Sequence, residues 1–180
     1  MTKRSLSMTL DPLLEADFAI QIHAASAIAA VVLGAFVLWR RKGTPLHKTL
    51  GRVWVLLMFA AATSALFIHE MRLVGPFSPI HLFSLFTYIT LFNGLKAIII
   101  DRDVVRHRAE MQGLYAGALM LAGAFTFLPG RRMHTVLFGA DAGWTQSLLV
   151  IVPILVGAGF VWLNMRRRAL RTGLPAPSRN

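Results

Sequence analysis

Arg40-Arg41-Lys42-Gly43-Thr44-Pro45-Leu46-His47-Lys48-Thr49-Leu50-Gly51-Arg52 holds five cations and no acid, with Gly43 and Pro45 as breakers in its first half. On its N-terminal side lie 22 residues, Phe18 to Trp39, without Asp, Glu, Lys or Arg; on its C-terminal side lie 17 more, Val53 to His69. A helix needs about 20 predominantly apolar residues to cross roughly 30 Å of hydrocarbon. A short basic turn between two such runs therefore reads as a hairpin of membrane helices, with the turn at one membrane surface.

The pattern continues along the chain. Gly75 to Leu95, Met111 to Leu128 and Trp144 to Met165 are also free of charged residues. With 56% hydrophobic residues and a mean hydropathy of +0.59, the chain is far too apolar for a water-soluble domain of 180 residues. The expected architecture is all-α: a polytopic transmembrane bundle of five spans over residues 18–165. It is preceded by a retained surface segment, 1–17, and followed by a basic, Pro-rich, disordered tail, 166–180. The acidic residues Asp11, Glu15 and Asp17 just before the first apolar run argue against a cleaved signal peptide.

The net charge of +11 would suit a nucleic-acid binder, but it is confined to short turns and tails, so nucleic acid is not expected as a partner. Fourteen of the 19 cations fall on the side of the two basic turns and the C-terminus, and five on the other. The positive-inside rule then places the N-terminus outside and the C-terminus in the cytoplasm of a bacterial inner membrane. With no cysteine, disulfides, thiolate metal sites and cysteine catalysis are excluded. No Walker loop, GxSxG, HExxH or CxxC is present, which removes nucleotide-binding and soluble-type hydrolase readings.

Two halves resemble each other. Ile22-His23-Ala24-Ala25-Ser26 and Ile80-His81-Leu82-Phe83-Ser84 both read I-H-x-x-S near the start of a span. Each is followed by an apolar run, a basic turn and a second histidine, His47 or His107. This suggests a duplicated two-helix unit forming a four-helix core, with the fifth helix added. In an up-down bundle the duplicated helices are diagonal, so His23 would pair with His81 on the outer side and His47 with His107 on the cytoplasmic side.

Paired imidazoles between helices with small faces (Ala27, Ala30, Gly34; Gly113, Gly117) suit b-type haem, with Arg52, Arg102 and Arg108 available to its propionates. A small redox protein passing electrons to quinone or a respiratory complex is then the leading expectation. Copper or zinc on the same histidines is an alternative. So is a wholly structural role, because all four histidines sit near helix starts where imidazole is easily solvated. A non-catalytic accessory or assembly factor for a respiratory or metal-handling complex fits that last case. A transporter is disfavoured, since no acidic residue lies mid-span to couple ions. His69-Glu70 and His134 are lesser candidates, Arg131-Arg132 suits headgroups or a partner, and Trp39, Trp54, Trp144 and Trp162 read as an interfacial aromatic belt.

The motifs His47-Lys-Thr-Leu-Gly51-Arg52, Ser78-Pro79-Ile80-His81, His107-Arg-Ala-Glu-Met111 and Phe125-Thr126-Phe127-Leu128-Pro129-Gly130-Arg131 together resemble a bacterial multi-pass membrane family of unknown function, numbered twenty-three-oh-six. The resemblance covers His23 to Arg132. It implies a membrane protein and marks His23, His47, Gly51, Arg52, His81, His107, Met111 and Arg131 as positions to test, without choosing among haem, another metal and structure.

Overall fold

A computed structural model describes residues 10–68, 79–139 and 141–172, and among them every regular element is helical. A short helix α1 (Asp11–Leu14) precedes α2 (Phe18–Trp39), α3 (Pro45–Ala65) and α4 (Pro79–Ile99). Then α5 (Val104–Leu114) runs through a π-helical stretch, Tyr115–Leu121, into α6 (Ala122–Phe125). A short α7 (Arg132–Phe138) leads to the long α8 (Trp144–Thr172).

The hairpin residues build the first turn as their chemistry dictates. Arg40 is extended, Gly43 takes φ +80°, and Thr44 caps α3 by accepting the His47 N–H at 3.1 Å, with Pro45 in the first helical position. Between α4 and α5, Asp103 does the same job for the Arg106 N–H at 2.9 Å, and Asp101 pairs with Arg106 at 3.7 Å. These aspartates thus have structural duties beside offsetting local arginines.

α2 packs most extensively on α3, and α4 on α5; α3 joins the two pairs, and α8 lies against the π stretch. The α2–α3 register is antiparallel: His23 meets Ala61 and Ala30 meets Trp54, so partners descend on one helix as they ascend on the other. Buried on α4 are its hydroxyl residues Ser84, Thr87 and Thr90, while Leu82, Phe92 and Ile99 face outward. Outward-facing Val32, Phe36, Leu149, Val156 and Phe160 extend the same inside-out pattern around the molecule. Exposed apolar surface on this scale belongs in lipid, where water is not the solvent.

Among the described residues three helices are long and apolar enough to cross a membrane: Phe18–Trp39, Ile80–Ile99 and Trp144–Asn164. α3 carries Lys48 and Arg52 in its first two turns, and the α5–α6 helix opens with Arg106, Arg108 and Glu110, which keeps both below that standard. The segment between the charge-free runs that end at Leu128 and begin at Trp144 contains α7, and α8 continues to Thr172, into the segment expected to be a disordered tail. The His69-Glu70 group lies outside the described residues.

Candidate functional site

The histidines occupy two levels. Near the start of α2, His23 Nδ1 donates to the Ala61 carbonyl of α3 at 2.8 Å. A carbonyl only accepts, so Nδ1 carries the proton and Nε2 holds the lone pair. Nε2 makes no hydrogen bond to a described residue. His81, in the first turn of α4, donates from Nε2 to the Leu66 carbonyl just past α3, at 3.2 Å. Both outer histidines are thus anchored on α3, on carbonyls about 7.5 Å apart along its axis at 1.5 Å per residue.

At the other end, His107 Nδ1 donates to the Gly94 carbonyl of α4 at 2.8 Å, which again leaves Nε2 as the open nitrogen. His47 stands in the first turn of α3, before the apolar run that begins at Val53, and its buried Nδ1 has no hydrogen-bond partner. Burial, then the nearby charges of Lys42 and His107, hold the His47 pKa below the usual histidine range. His47 and His107 are therefore close enough to feel each other's charge. Arg52 is exposed and Arg108 half-buried; neither forms an ion pair with a described residue. Among the described residues no group of three or more His, Asp or Glu converges.

A cavity of about 540 Å³ opens between α2, α3, α4, the π stretch and α8, at the end where α2 and α4 begin. Its wall is almost wholly apolar, with His23, Ala27, Ala61, Ala65 and Met120 among the lining residues. Ser84, Thr87 and Thr126 also line it, but each hydroxyl is spent on a carbonyl of its own helical turn. His23 belongs to the wall; His81 stands next to it, flanked by the lining residues Ile80 and Ser84. Arg131 and Arg132 line the same cavity. Arg132 donates to the Pro12 carbonyl at 3.0 Å, and the Arg131 guanidinium lies 4.5 Å from the centre of the Phe125 ring.

Sequence reasoning missed several of these features. Trp54, read as part of the aromatic belt, is only 4% exposed and donates from Nε1 to the Ala30 carbonyl at 2.9 Å. Trp39, Trp144 and Trp162 do face outward. His134, read as a loop histidine, is buried on α7 against Phe138 with Nε2 unpartnered. The π stretch, a form frequent at functional sites, puts Tyr115 where its hydroxyl donates to Val31 at 3.1 Å. No local signal announces any of the three; the small residues from Ala116 to Ala118 only permit the last.

No curated protein and no solved structure matches the chain. A family model described as predicted membrane protein, DUF2306, matches residues 20–163, which covers both histidine levels, the cavity wall except Leu13, and most of the apolar part of α8. The chain is a member of that membrane-protein family.

Proposed function

We propose that the chain is an integral membrane redox protein that holds b-type haem through paired histidines and exchanges electrons with quinone or a respiratory complex. The observation that carries this reading is the state of His23: Nδ1 is anchored on Ala61, and the ring lines a ligand-sized cavity with Nε2 unbonded. Metal-ligating histidines are held this way, the far ring nitrogen donating to a carbonyl or carboxylate that fixes tautomer and orientation. His107 repeats the arrangement on Gly94. His81 completes the outer pair in this reading, and His47 with His107 forms the inner one.

The chain's own contributions follow from its chemistry. α3 orients both outer imidazoles through its carbonyls. The alanines of the cavity wall leave room for a flat body, and the apolar lining excludes water and so keeps the local dielectric low. When bound, haem supplies reversible one-electron transfer, with its potential set by axial ligands, hydrogen bonds and burial.

The reading also takes α3 and the α5–α6 helix as spans, giving five, with the N-terminus outside the bacterial inner membrane and the C-terminus in the cytoplasm. The charge count and the inside-out burial support it. The absence of cysteine makes this easy to test. In intact cells an impermeant maleimide should label Asp141→Cys and spare Arg41→Cys; the reverse would overturn the orientation.

For the cofactor, purified protein should show a Soret band and dithionite-reduced α bands that disappear in His23→Ala. A folded, colourless protein that takes up no haem on reconstitution sinks the redox reading and leaves the accessory-factor one.

A further inference from the structure

The cavity opens sideways. Along α2 its wall includes Ile28 and Val32, which are 49% and 68% exposed on the outer surface of the bundle. Along α8 it includes Val150 and Ile154, whose neighbours Leu149 and Val156 face outward. α2 packs on α1, α3 and the π stretch, and α8 on α5, α6 and the π stretch, so both border the cavity without an extensive seam between them. Ile28 and Ile154 each stand ten residues into their helix, about 15 Å at 1.5 Å per residue, which is the middle of roughly 30 Å of hydrocarbon. A molecule entering through this gap comes from the bilayer, and the almost wholly apolar wall suits it.

The polar groups of the wall narrow the choice. Ser84 and Thr87 of α4, both buried, donate to the Ile80 and Phe83 carbonyls at 3.0 and 2.8 Å, and Thr126 donates to the Gly123 carbonyl at 2.7 Å. What each oxygen still offers is a lone pair. His23 Nε2 is a lone pair too, the one assigned to iron above. Arg131 and Arg132 have contacts of their own, among them the Phe125 ring and the Pro12 carbonyl, and play no part. The wall hydroxyls thus accept hydrogen bonds from an occupant and do not donate them, which favours a molecule with O–H groups over one with carbonyls.

We propose that the cavity takes a quinol from the bilayer, through the gap between α2 and α8, and holds it in preference to the quinone by hydrogen bonds from its hydroxyls to Ser84 and Thr87. A volume of about 540 Å³ is that of a small-molecule site, and the isoprenoid tail is left in the gap. Among apolar alcohols the quinol is singled out by the redox reading, on which this assignment rests. Of the two partners named there, only the quinone pool reaches the site from within the bilayer.

The test uses the full chain in lipid nanodiscs, under anaerobic conditions, with decylubiquinol, decylubiquinone and dodecanol as probes. The chain has no cysteine, so Ile154→Cys carries a single environment-sensitive fluorophore at the gap. Decylubiquinol should bind about tenfold more tightly than decylubiquinone, the size expected for one or two hydrogen bonds, and more tightly than dodecanol. Ser84→Ala/Thr87→Val, which removes the acceptors with little change of shape, should bring the two forms to within about twofold of each other, whereas a merely structural loss weakens both alike. Thr87→Val alone should give an intermediate ratio, which serves if the double variant does not fold. Ile28→Trp/Val32→Trp, which narrows the gap, should abolish binding of both forms.

Equal affinity for quinol and quinone, a preference unchanged in Ser84→Ala/Thr87→Val, or dodecanol bound as tightly as decylubiquinol overturns the quinol site. The Soret band, followed in the same samples, separates the two readings. A quinol preference without a Soret band would end the haem reading and keep this site. A Soret band without quinol binding would keep haem and end this one.

Discussion

The two ends of the bundle are built from similar sequence and differ in packing. At the end nearer the Arg40–Arg52 hairpin, glycines face large side chains. A Cβ on Gly34 would stand 2.5 Å from Trp54 Nε1 and 2.8 Å from the Tyr115 ring, and one on Gly94 would run into the Met111 methyl. Trp54 and Tyr115 bond successive α2 carbonyls, Ala30 and Val31, and the cluster is completed by Met58, Leu91, Leu114 and Leu119. At the opposite end alanines face alanines, and a cavity results. Small residues thus have two opposite consequences. They bring helices together when a large side chain fills the gap, and leave a hole when none does. The first end reads as scaffold, the second as site.

The strongest challenge to this contrast is Gly34→Val. Overpacking against Trp54 and Tyr115 should cost about 3 kcal/mol, seen as a lower midpoint of thermal unfolding in detergent. An unchanged midpoint would mean that this end is not tightly packed. Trp54→Phe removes the indole N–H while keeping an aromatic ring; a loss of about 1 kcal/mol is expected in the same assay. In the hollow end the sign should reverse: Ala27→Leu adds volume to the cavity wall and should raise stability by about 0.5–1 kcal/mol while competing with any ligand.

The smallest effect is a pH dependence at the hairpin. The folded His47 pKa lies below its unfolded value, so its neutral form is favoured by folding. Its contribution is in place above about pH 6.5, the ordinary histidine value, and is lost as pH falls through the lower folded pKa. His47→Gln should therefore unfold with a shallower dependence on pH below about 6.5; an identical slope would show that His47 is not held neutral.

Much of the fold was legible because membrane helices are written in local composition. The first expected span, Phe18 to Trp39, matches α2 to the residue, and the charge-free run Gly75 to Leu95 covers most of α4. Charge-free runs and Gly/Pro breakers suffice for this, since a bilayer demands internally satisfied backbone whatever the neighbours do. The polar face of α4 was legible for the same reason: hydroxyls that cannot face lipid must face protein. The histidines could be named, but not their partners, because a carbonyl such as Ala61 or Gly94 has no side-chain signature.

From the sequence alone came a helical membrane protein, its breaks, its family resemblance and four histidines in two matched positions. Only tertiary structure decided that Trp54 is core and not belt, that His134 is buried, and that Arg131 and Arg132 border a cavity containing His23. The physical reason is the range of the interactions. Helix formation and burial in lipid are read within one 20-residue window. A cavity exists only where helices from distant parts of the chain meet with too little side-chain volume to fill the space between them.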